Sequence, residues 1–138
     1  MRVFLDANIL FSAADPGSAT RRVLEVLLKH VEAVTNPHAV EEAGRNLGIK
    51  RPQHSADFKK LIKRVHISNT FAFINDPDIQ LSKEDIPILG GAVGSRCTHL
   101  WTGDKRHFGK FFGKTVEGVV IVDGIRLADE LIDLGWLP

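Results

Sequence analysis

A chain of 138 residues, 43% hydrophobic and 25% charged, has the length of one domain with a real core and the balance of a globular protein. Its formal net charge of +1 excludes a strong overall field, so a nucleic-acid partner would have to be held by a local basic patch. The lone cysteine, Cys97, excludes an internal disulfide and fits a reducing cytoplasm, and no apolar run reaches the length of a membrane span or reads as a secretory signal.

The chain opens on "MRVFLDAN", a compact apolar run that predicts a buried strand ending at Asp6. "DPGSAT" reads as a turn with Ser18 as a helix cap, and Val23, Leu24, Leu27 and Leu28 then recur at helical spacing. "VEAVTN" predicts a short second strand. Pro37 suits the first turn of the next helix, with Gly48 as its stop. Phe58, Leu61, Ile62 and Val65 mark one face of a third helix, followed by the irregular "NTFAFINDPDIQLS". A fourth helix is expected from Lys83 or Glu84 to Arg96, with Pro87 in its first turn and "GGAVGSR" as small residues for close packing. "HLWTGD" predicts a strand, "KRHFGKFFG" a short helix or turn, "GVVIVDG" a strong strand and "IRLADELIDLG" a closing amphipathic helix.

Strands alternating with helices predict an α/β three-layer sandwich: a mainly parallel sheet flanked by helices, in one domain over residues 1–138. In such sheets ligands bind at the carboxyl ends of the strands. Asp6 and Asp104 both end strands and belong on that edge. Glu41 and Glu42 follow the second strand, and Glu84 and Asp85 open the fourth helix on the same side. Singly, each acid is explained by a helix cap or a solvated face. Converging, they form a hard-oxygen set suited to Mg²⁺ or Mn²⁺.

The segments "VFLDANIL", "AVEEAGRNL", "EDIPILGGAV" and "LWTGDKRHF" resemble those of the PIN domain. That family consists of Mg²⁺- or Mn²⁺-dependent ribonucleases and includes the VapC-type toxins of toxin–antitoxin pairs. The resemblance spans nearly the whole chain and is most specific at Asp6 with Asn8 and at Thr102-Gly103-Asp104. It implies that Asp6, Glu42, Asp85 and Asp104 are the catalytic, metal-holding acids, supported by Asn8 and Thr102. Glu41 remains an alternative to Glu42, and Asp76 and Asp78 compete with Asp85. It also implies an RNA substrate, an antitoxin partner and a homodimer. Lys105 and Arg106, beside Asp104, are the expected phosphate-binding pair, with Lys110 and Lys114 after them, whereas Lys59, Lys60, Lys63 and Arg64 read better as a solvated helix face. No His-rich spacing makes ligands of His99 or His107, and Trp101 and Phe108 are expected to pack in the core. The rival reading is a catalytically silent module of the same fold that serves as a protein-interaction scaffold.

Overall fold

The computed structural model describes all of residues 1–138. β1 (Arg2–Leu5) runs into α1 (Ala7–Ala13) and α2 (Ala19–His30), followed by β2 (Glu32–Thr35), α3 (Pro37–Lys50), α4 (Ser55–Ile62) and β3 (His66–Ile67). A long connection leads to α5 (Ile86–Gly94), β4 (His99–Trp101) and α6 (Lys105–Phe108). The chain closes with β5 (Thr115–Val116), β6 (Val119–Val122) and α7 (Gly124–Asp133).

The six strands form one sheet in the order β3-β2-β1-β4-β6-β5, parallel throughout except for the β5–β6 pair. β1 is central. Phe4 lies opposite Val34 on one side and Leu100 on the other, and Leu5 is level with Trp101. The Asp6 N–H extends that ladder to the Trp101 carbonyl at 3.1 Å. Val3, Phe4, Leu5, Leu100 and Ile121 are fully buried, as expected of strands covered on both faces. α5 packs against β1, β2 and β4, whereas α2 and α7 pack on β2 and β6 and on each other. The expected α/β sandwich is therefore the observed architecture.

Several local expectations are corrected. α1 is a helix that the sequence reading left out, because seven residues hold too few turns to show a period. α3 runs through Gly48 to Lys50, since nothing lies around Gly48 to require a break there. The third helix stops at Ile62, and His66–Ile67 add a strand too short to leave a pattern. Residues 83–85 form a turn, so α5 begins at Ile86 and ends at Gly94.

The glycines of α5 set how closely it approaches its neighbours. A Cβ on Gly91 would stand 2.7 Å from Asn36 Nδ2 and 3.1 Å from the Phe4 ring, and one on Gly94 would stand 2.7 Å from the Phe71 backbone. Asn36 cannot readily move aside. Its Oδ1 caps α3 by accepting from the Ala39 N–H, and its Nδ2 donates to the Pro87 carbonyl. Gly91→Ala is expected to destabilise the protein by about 1–3 kcal/mol through overpacking. Gly48→Ala, with open space around it in a helix, should stabilise by about 1 kcal/mol. Urea melts of the two variants check the pair, and equal effects would remove the close-packing argument.

Candidate active site

Because β1 and β4 lie side by side and parallel, residues 96 positions apart emerge together at their carboxyl ends. Asp6 is 4% exposed and caps α1, with Oδ1 accepting from the Ala7 N–H at 2.7 Å. Its other oxygen accepts from the Thr102 hydroxyl at 2.7 Å and from Asn8 Nδ2 at 3.1 Å. Asn8 Oδ1 in turn accepts from the Gly103 N–H, and Thr102 Oγ1 from the Asp104 N–H. Asn8 and Thr102 thus sit where supporting residues are expected. Thr102 is fully buried and ties the two strand ends together.

Asp104 caps α6 through Oδ1, which accepts from the His107 N–H at 3.1 Å. Asp85 lies at the start of α5 but its side chain does not cap that helix; instead Oδ2 accepts from the Ser82 hydroxyl at 2.6 Å. Capping therefore accounts for one oxygen of Asp6 and one of Asp104 and for neither oxygen of Asp85. Between the two latter carboxylates stands His107, whose Nδ1 is 2.8 Å from Asp85 Oδ2 and 3.0 Å from Asp104 Oδ2. The Nδ1 atom is out of solvent, yet neither contact is aligned as a hydrogen bond. Sequence spacing gave no support for His107 as a ligand, and the structure nevertheless stands it beside two of the acids. Its place three residues after Asp104, in a single helical turn, was the available signal.

Asp6, Glu42, Asp85, Asp104 and His107 line one cavity of about 260 Å³, with Asn8, Glu84 and Arg45 also on its wall. Glu41 points elsewhere, exposed and 3.9 Å from Arg45. Asp76 belongs to a turn, accepting from the Asp78 N–H, and neither residue lines the cavity. Next to it is a second depression of about 350 Å³, whose lining includes Glu42, Asp104, Asn46 and Lys50. Arg45 and Lys50 are cations that the sequence reading overlooked, although they share the α3 face of Glu42. Lys105 and Arg106 are both exposed. Arg64 is engaged, its guanidinium forked onto Glu25 at 2.6 and 2.9 Å. His99 pairs with Glu130 at 2.8 Å, at the start of β4 and so away from the acids.

Burial pushes the Asp6 carboxyl up from 3.8 to about 6, against the pull of the Thr102 and Ala7 hydrogen bonds. The charges of Glu42 and Asp85 push in the same direction as burial. Five carboxylates on one cavity, with desolvation outweighing hydrogen bonds at Asp6, form a site that favours an added positive charge. Asp85, Asp104 and His107 each place a ligand atom within 4.8 Å of the others. Neighbouring ligands of an octahedral ion with bonds of about 2.1 Å stand about 3.0 Å apart, close to the two distances at His107. An oxygen-rich set with a single imidazole suits Mg²⁺ or Mn²⁺ better than a softer metal.

In chelator, the raised Asp6 value has a sign that can be tested. The folded state holds this proton more tightly than the unfolded chain, so the contribution is fully favourable below about pH 4. It is lost as pH rises from about 4 through 6, a decline on the order of 3 kcal/mol. Asp6→Asn cannot ionise and should not show this decline. Denaturant melts at pH 4.5 and 7.5 compare the two proteins, and identical pH slopes would show that Asp6 titrates normally.

No protein-family model and no curated protein matches the chain in sequence. Solved structures do match. The chain aligns with VapBC2 from Rickettsia felis, determined with a DNA fragment of the promoter, at a TM-score of 0.66 and 16% identity, over 89% of this chain and 98% of that one. It also aligns with VapC20 of Mycobacterium tuberculosis, a toxin that cleaves the sarcin–ricin loop, at a TM-score of 0.57 and 11% identity, over 83% and 98% of the two chains. The chain therefore has the fold of the VapC proteins, the PIN-like α/β sandwich that the sequence resemblance implied.

Proposed function

We propose that the protein is a metal-dependent endoribonuclease that cleaves RNA phosphodiester bonds, the toxin of a toxin–antitoxin pair. In this reading it acts in the cytoplasm as a homodimer held in check by an antitoxin protein. No helix is long and apolar enough to cross a membrane, and the similar VapC20 is a toxin that cleaves the sarcin–ricin loop. One observation carries the reading. Carboxylates from four separate segments, Asp6, Glu42, Asp85 and Asp104, line a single cavity at the carboxyl edge of a parallel sheet.

Those four acids, with His107, are the residues that would hold Mg²⁺ or Mn²⁺. When bound, the ion would supply Lewis acidity, lowering the pKa of water and offsetting charge on the phosphoryl oxygens. The chain's own residues do the rest. Thr102 and Asn8 each donate to Asp6, and the Gly103 N–H holds Asn8 in turn, so the carboxylate needs little reorganisation when a cation arrives. Arg45 and Lys50, which line the acid cavity and the depression beside it, and Lys105 and Arg106, exposed directly after Asp104, would supply phosphate contacts that position a strand without reading its sequence.

Purified protein is expected to cleave single-stranded RNA in Mn²⁺ or Mg²⁺ and to stop in chelator. Cleavage that persists in chelator would end the metal reading, and no cleavage with either ion would favour the scaffold. Asp104→Asn keeps the cap and removes one charge from a repelling cluster. In chelator it should match or exceed wild-type stability by about 0–2 kcal/mol. Millimolar Mn²⁺ should raise the wild-type melting temperature and leave this variant nearly unmoved.

His107→Ala should fold normally and weaken Mn²⁺ binding by about tenfold, as for groups that orient or complete a metal site. Manganese titration followed by electron paramagnetic resonance reads this directly. Unchanged affinity would make His107 a bystander.

A further inference from the structure

A larger cavity, of about 560 Å³, opens on the other side of Asn8 from the acids, so that Asn8 lines both. Ile9, Val23, Ile125 and Ala128 give it apolar walls. Two independent observations mark it as more than a packing gap. The first is that the N-termini of α2 and α7 meet here, through Ala19, Thr20, Gly124 and Ile125. The caps Ser18 and Asp123 reach only the Arg21 and Arg126 N–H groups, so the first two amides of each helix are left without a capping acceptor.

The second is Trp101, which also lines the cavity. It is 1% exposed, and its Nε1–H has no hydrogen-bond partner in the protein. The Nε1 faces Gly124, where even a Cβ would stand 3.8 Å away. A buried indole N–H without an acceptor is costly, and an occupant of the cavity is what can supply one.

The helix amides and the indole are donors only, whereas the acceptors among the lining side chains are the Asn8 amide, the Asp123 carboxylate and the hydroxyls of Ser12 and Thr20, which can also donate. Both polar atoms of the Asn8 amide are in use, Oδ1 with the Gly103 N–H and Nδ2 with Asp6 and Thr102. Both oxygens of Asp123 are taken by Arg126. Lys105 adds a positive charge at the rim. The complementary ligand is flat, apolar on its faces and presents acceptors along an edge. Guanine fits this description best, offering O6 and N7 side by side. Adenine places an amino donor beside N7, and cytosine offers an amino donor in the corresponding position.

We infer that this cavity is a nucleobase subsite that seats a guanine flanking the cleaved phosphodiester, with the O6 and N7 edge toward Trp101 and the helix N-termini. The inference deepens the ribonuclease reading and rests on it.

Trp136→Phe leaves Trp101 as the only indole, since the chain has two tryptophans. In chelator, guanosine 5′-monophosphate is expected to change Trp101 emission saturably, with an affinity about tenfold above that of the adenosine and cytidine monophosphates. Ala128→Phe fills the cavity. Ala19→Glu sets a carboxylate at its mouth, at a first-turn position where an acid favours the helix, so weakened binding there is not a folding defect. Both substitutions should abolish the guanosine preference, and in Mn²⁺ the cleavage pattern of wild type on a mixed oligonucleotide should favour bonds next to guanosine. Equal responses to all the nucleotides, no response, or guanosine binding untouched by both substitutions would overturn the subsite. So would an emission change produced by a partner protein and not by nucleotides. RNA cleavage without base preference or nucleotide response sinks the subsite alone. Guanosine monophosphate binding in a protein that cleaves no RNA sinks the ribonuclease reading instead.

Discussion

The contact between the Asp6 carboxylate and the Thr102 hydroxyl is the one on which the site depends. It joins two parallel strands at the level where each gives way to a helix, inside a fully buried neighbourhood. A carboxylate so placed is costly unless its oxygens are occupied, and here Thr102, Asn8 and the Ala7 amide occupy them. The same hydroxyl accepts from the Asp104 amide, so the turn that carries the second acid starts from the partner of the first. Removing this contact would leave a buried charge with one fewer partner and would also free the direction in which α6 departs.

The third acid arrives by a different route. Asp85 is positioned by how closely α5 lies on the sheet, which Gly91 permits over Phe4 and which Asn36 secures by bonding to Pro87. The cavity is thus assembled from one hydrogen-bonded seam and one steric fit. His107 fills the space between the products of the two, level with carboxylates from both. Burial is the main reason that the Asp6 value is raised, and the charges of Glu42 and Asp85 push it the same way, so the fold holds this cluster against both desolvation and repulsion.

The legible parts of this structure are those where chemistry repeats or punctuates. The apolar strands and the acids that end them are visible in "VFLD" and "LWTGD", and the alternation with helices fixes the parallel sheet. Asn8 and Thr102 stand out only through the family resemblance, because a lone polar residue at a strand end is ordinary. α1 and the two-residue strands β3 and β5 are too short for any period. Arg45 and Lys50 were hidden among the other charges of α3, although their spacing from Glu42 places them on its face. Trp101 reads correctly as a sheet residue, but its unpaired indole nitrogen depends on how α7 begins, which no local pattern encodes.

The two outermost strands, β3 and β5, are only two residues long each. A sheet margin this brief offers few free amides and carbonyls in a row, which disfavours extension of the sheet by a strand from another polypeptide. Side chains and helix surfaces are then the more accessible ground for association. Such contacts are decided residue by residue, which allows closely similar folds to keep separate partners while sharing one backbone.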